Sequence, residues 1–198
     1  MDLAIDGLRV LHMLSFAIGI GSAAFLEVLV VRRFLRGIDI EGLRIVLAGH
    51  DIVKYALAGL WVSGLGLLYY KIYVLCLPFS PKLGAKLVVV TLLTINMGLI
   101  DRILIPDLFE YEGSKVRDIP ASDLRLFGGI AGFSAGCWIA ALLLGGISRM
   151  RYMSPVELGG ILLPILAAAT LAGVVLALAA SSRRSSRTDI SPAVVPGE

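Results

Sequence analysis

Charge is scarce in this chain, and so are histidine, cysteine and methionine. Asp, Glu, Lys and Arg make up 17% of the 198 residues, and apolar residues reach 58%. A soluble domain carries about 25% charged and about 45–50% apolar residues. The net charge of +3 is small and dispersed, which excludes the basic footprint of a nucleic-acid binder. The two cysteines, Cys76 and Cys137, fall at different depths, so neither a disulfide nor a metal-type Cys pair is expected. No Walker loop, dinucleotide fingerprint or Ser-His-Asp arrangement occurs; GIGSAA follows no strand. No segment alternates with period two, which excludes strands. Met1-Asp2 brings no basic n-region, so a cleaved signal peptide is not expected and the first apolar segment should persist as a helix.

What is present is glycine (22 residues) and long apolar runs, with a mean hydropathy of +0.89. A membrane-spanning helix needs roughly 20 mostly apolar residues. Five segments qualify, at about 5–31, 46–70, 83–105, 126–148 and 156–180. The pattern predicts an all-α polytopic bundle of five transmembrane helices, one domain over 1–180, and a disordered cytoplasmic tail over 181–198. The second helix begins early and runs on towards Leu77, where Pro78 stops it; Pro164 should kink the fifth. Pro106 to Asp123 reads as a solvated loop of mixed charge, with room for a short amphipathic piece.

Lys and Arg beside the helix ends set the orientation. Arg32, Arg33, Arg36, Arg44, Lys115, Arg117, Arg125, Arg183, Arg184 and Arg187 gather on one side. Arg9, Lys71, Lys82, Arg149 and Arg151 fall on the other. The richer side is expected to be cytoplasmic, which puts the N-terminus outside and the C-terminus inside a bacterial inner membrane. Trp61, Tyr69, Tyr70 and Tyr73 read as an aromatic belt at the outer boundary. Gly128, Gly132 and Gly136 flatten one face of the fourth helix, as Ser15, Gly19 and Ala23 do on the first and Gly59 and Ser63 on the second. Packing within one bundle explains these patterns, and a homodimer or a partner membrane protein at the glycine face is the alternative.

Ionisable residues inside apolar runs are costly in lipid and therefore informative. His12 and Lys86 each precede a carboxylate by fifteen residues, Glu27 and Asp101 respectively. Fifteen residues make about four turns and ~22 Å of rise, so each helix carries a basic group outside and an acid inside on nearly one face. The antiparallel second helix brings His50, Asp51 and Lys54 to the inner level. Two clusters result: His12 with Lys86 outside, and Glu27, His50, Lys54 and Asp101, with Asp51 and Arg102, inside. The two histidines then lie about 25–30 Å apart in depth and cannot both ligate one heme. The plain readings are a Glu27–Lys54 boundary ion pair, His50 as a helix cap, Asp101-Arg102 as a helix end and Lys86 reaching for the interface. Asn96 fits a helix–helix hydrogen bond or a step in a polar path. His12 has no partner among Leu11, Met13, Leu14 and Phe16, and a role as an axial heme ligand or a proton acceptor stands level with a purely structural one. Glu27, His50 and Asp101 also form a donor set for a hard or borderline metal, without a local spacing motif.

The stretch LHMLSFAIGIGSAAFLEVLVVRR, with SGLGLL in the second helix and KLVVVTLLTINMGLIDR in the third, resembles the copper-resistance D family and the related small membrane protoporphyrinogen oxidases. The resemblance covers roughly residues 8–105. It implies a helical bundle in which His12 and Lys86 line a cofactor or metal site. The oxidase branch implies heme b and electron transfer, and the copper branch implies copper handling. Gly19 stands where an aromatic residue is usual, and the Arg common further down the first helix of the oxidases is missing near Glu27. Three functions follow. The first is a heme- or metal-binding redox protein, a membrane oxidoreductase if an enzyme. The others are a non-catalytic assembly subunit and a proton-coupled carrier with a path from His12 and Lys86 past Asn96 to Glu27, His50 and Asp101.

Overall fold

Backbone amides in lipid must be paired within the segment that crosses, and this chain does so with helices throughout. The computed structural model describes residues 2–34, 39–114 and 118–182, and no strand occurs among them. The elements are α1 (Asp2–Phe34), α2 (Ile40–Tyr69), α3 (Pro81–Leu99), α4 (Ile105–Glu110), α5 (Ala121–Gly146) and α6 (Pro155–Ser182). Five helical stretches are long and apolar enough to cross a membrane: Leu3–Arg32, Ile40–Val74, Pro81–Glu110, Ala121–Gly146 and Pro155–Ser181. The expected tail lies outside the described residues, except Ser181 and Ser182, which prolong α6.

Two stretches run past their α-helical ends through a π turn; the second ends at Val74, short of Leu77, and the third outruns its expected end at 105. After α2, Tyr70–Val74 forms a π turn, and the Leu75 amide donates to the Tyr70 carbonyl at 3.0 Å. The stretch ends in the left-handed region at Cys76 (φ 50°), and Leu77 N–H reaches back to the Lys71 carbonyl at 3.1 Å. After α3, Ile100–Leu104 forms a second π turn that leads directly into α4. The expected loop from Pro106 is therefore helical as far as Glu110. Proline cannot donate to an i−4 carbonyl and crowds it in an α-helix. Here Pro106 falls in the first turn of α4, just past the wider turn, where an i−4 partner is not required.

The described helices form two tight antiparallel pairs, α1 with α2 and α5 with α6, while α3 lies along α5. The glycine face of α5 is filled by α6 of the same chain. A methyl group at Gly128 would stand 2.5 Å from the Gly173 carbonyl oxygen, and one at Gly132 or Gly136 would meet Ala169. The face of Gly128, Gly132 and Gly136 is thus packed within the bundle, the first reading of its spacing. Leu57, Leu60, Val89, Leu93, Cys137, Trp138 and Leu144 form the core between the pairs.

Contacts between α1 and α2 fix their register. Leu8 lies against Gly66, His12 against Gly64, Ser15 against Gly59 and Leu26 against Gly49. His50 therefore faces the level of residue 25, and its depth differs from that of His12 by about 20 Å, from the rise per residue. This is less than the expected 25–30 Å, because the helices pair with partners summing to 74–76 rather than meeting at their ends. One heme still cannot take both rings.

Candidate functional site

His12 is half-buried and points at α2. Its Nδ1 lies 2.9 Å from Ser63 Oγ, and Ser63 is completely buried. The serine hydroxyl has a single proton, and its shortest contact is the Gly59 carbonyl at 2.6 Å, the i−4 bond common for Ser in helices. Ser63 Oγ is thus left to accept, and His12 Nδ1–H donates to it. The Ser63 contact favours the Nδ1–H tautomer and leaves the Nε2 lone pair uncommitted. A partner for His12 was missing from its own helix; it lies on α2, at a residue whose small size suggested packing alone.

Lys86 makes no hydrogen bond to His12, although its charge is within electrostatic range of the ring. It lines a cavity of about 400 Å³ at the end of the bundle where the chain's N-terminus lies, together with Lys71, Lys82 and Arg151. The expected outer pair is therefore two neighbouring sites: an imidazole held by α2, and an ammonium facing a basic cavity.

At the other end, three expected residues meet. Asp101 Oδ1 accepts from Lys54 Nζ at 2.7 Å and lies 3.1 Å from His50 Nε2, and Lys54 also reaches Asp51 at 3.3 Å. His50 is only 4% exposed, so it joins α2 to the π turn after α3 rather than capping a helix in the headgroup layer. Glu27 stays apart: it is half-buried, and no hydrogen bond or ion pair joins it to this group among the described residues. The expected Glu27–Lys54 pair is replaced by Lys54–Asp101. Among the described residues no three His, Cys, Asp or Glu side chains gather as a metal site, so the set Glu27, His50 and Asp101 is not assembled. Arg102 lies in the same π turn, and no ion pair to this group is formed among the described residues.

Asn96 is 2% exposed and donates to the Ile130 carbonyl at 3.3 Å, a link from α3 to α5. Trp61 donates from Nε1 to Thr94 Oγ1 at 3.0 Å, which ties α2 to α3 and removes it from the expected aromatic belt. Tyr69 and Tyr73 do remain exposed, with ring centroids 5.0 Å apart. Trp138, which the sequence did not single out, packs on Phe16 and Gly19, and its buried indole N–H has no partner among the described residues.

No protein-family model, curated protein or solved structure matches this chain.

Proposed function

We propose that this five-span protein lies in a bacterial inner membrane with its N-terminal end outside, and that it binds heme b or a similar imidazole-ligated centre through His12 in a redox role. The observation that carries the reading is the Ser63 contact, which leaves Nε2 as the free electron pair of the ring. A hydrogen-bond acceptor on the other ring nitrogen is the usual way a protein orients a ligating histidine.

The donor set suits heme better than copper. A heme here takes one imidazole, because His50 lies about 20 Å away in depth. Lys86, within electrostatic range of the ring, would meet the acidic edge of such a ligand. Copper would want soft donors; Met13 is 71% exposed and Cys137 is sealed in the core. Heme, when bound, supplies one-electron chemistry; the chain supplies the ligand, its orientation and a cation. The carrier reading is weaker, because Asn96 is committed to α5 and Glu27 stands outside the His50–Asp101–Lys54 group. The assembly-subunit reading loses its surface at the glycine face.

Protein purified in mild detergent from heme-replete cells should show a Soret band that His12→Ala abolishes and Lys86→Gln weakens. A colourless wild-type protein that takes up no added hemin would end this reading.

A further inference from the structure

Positive charge is concentrated around one cavity at an end of the bundle. The cavity of about 400 Å³ is built from the end of the second span (Lys71), the start of α3 (Ser80, Lys82, Lys86) and the turn after α5 (Ser148, Arg151). These cations feel one another: Lys86 lies within electrostatic range of Lys82 and Lys71, and Lys82 within range of Arg151. Among the described residues no Asp or Glu lines the cavity. Lys82 donates to the Ile147 carbonyl at 2.7 Å, and Lys71, Lys86 and Arg151 make no ion pair among the described residues. Among the described side chains, two carboxylates of this end are engaged elsewhere. Asp6 pairs with Arg9 at 2.7 Å, and Glu157 accepts from the Ser154 amide at 2.7 Å.

We propose that this cavity binds a phosphate-bearing anion, either the headgroup of an anionic lipid or a soluble phosphate ester. Four cations and the Ser80 and Ser148 hydroxyls surround one space, an arrangement that serves a group with several anionic oxygens. Lysines act there as point charges and arginine as a two-pronged donor. The volume falls in the range of ligand pockets, about 300–1,000 Å³, which leaves room for an organic remainder beside the phosphate. Lys71 lies near the end of the second span and Lys82 at the start of the third, so the cavity sits at headgroup depth. The inference goes beyond the heme reading and does not require it: Lys86 is the residue the two share, and no imidazole takes part.

The test uses the full chain and its His12→Ala variant. Thermal unfolding in detergent is followed against inorganic phosphate and glycerol 3-phosphate, with sodium chloride at matched ionic strength as reference. In parallel, the protein is reconstituted in phosphatidylcholine mixed equally with phosphatidylglycerol, and tightly retained lipid is identified by native mass spectrometry. A saturable rise in unfolding temperature with either phosphate supports the site and a soluble source. Selective retention of phosphatidylglycerol supports the site and a lipid source. Either response should weaken by about tenfold or more in Lys82→Gln/Arg151→Gln. Circular dichroism checks its fold, and Lys71→Gln, at a half-exposed position, is the milder substitute. Neither response in the wild type, or a response that survives in these variants, overturns the proposal. Because His12→Ala should respond like the wild type, failure here and failure of heme binding remain separate results.

Discussion

At the scale of single residues, the account rests on where one serine proton goes. Ser63 donates to Gly59 and accepts from His12, so one small residue both allows close helix packing and orients the ring. Ser63→Ala keeps the packing and removes the acceptor. The expected cost is about 1 kcal/mol, the size of one net hydrogen bond within a membrane bundle, read from unfolding in mixed micelles. No loss in Ser63→Ala would show that the contact does not hold the ring. Just past the third span, the Tyr111 hydroxyl donates to the Asp123 carboxylate in the first turn of α5, which pushes the Tyr111 pKa up to about 12, and its ring meets Phe127 at 6.3 Å. A raised pKa means that this link is intact below the usual tyrosine range near 10 and is lost as pH rises towards 12. Ultraviolet titration should find one late tyrosinate that returns to the ordinary range in Asp123→Asn.

Helices were legible from apolar run length, and their small-residue faces from spacing. Gly128, Gly132 and Gly136 recur every fourth residue and do form a flat face. Which helix fills that face is a tertiary fact that spacing does not contain. Gly132→Leu should cost about 3 kcal/mol or more, because the added side chain meets the α6 backbone. Gly98→Leu should be nearly neutral, since open space surrounds that position. Equal effects on unfolding in detergent would contradict the α5–α6 contact. The π turns escaped the sequence reading for a different reason. The second span does stop before Pro78, after a widened turn that carries it past its α-helical end to Val74, whereas at Pro106 a second widened turn lets the third span run on.

For the whole molecule, the five spans and the meeting of His50, Lys54 and Asp101 could be read from charge positions along antiparallel helices. The basic cavity could not be read so, because Lys71, Lys82 and Arg151 looked like topology markers until three segments brought them together. Orientation has a direct handle in the cysteines. Cys76 is exposed between α2 and α3, whereas Cys137 is buried in the core. With the N-terminal end outside, a membrane-impermeant maleimide should label Cys76 in intact spheroplasts and reach Cys137 only after denaturation. Labelling of Cys76 only after permeabilisation would invert the bundle. The claim on which the functional account turns is the state of one ring. Nitrogen-15 NMR of histidine-labelled, ligand-free protein at neutral pH should show His12 protonated at Nδ1 with Nε2 bare, and Ser63→Ala should release that preference. A His12 ring protonated at Nε2, indifferent to Ser63→Ala, would contradict it.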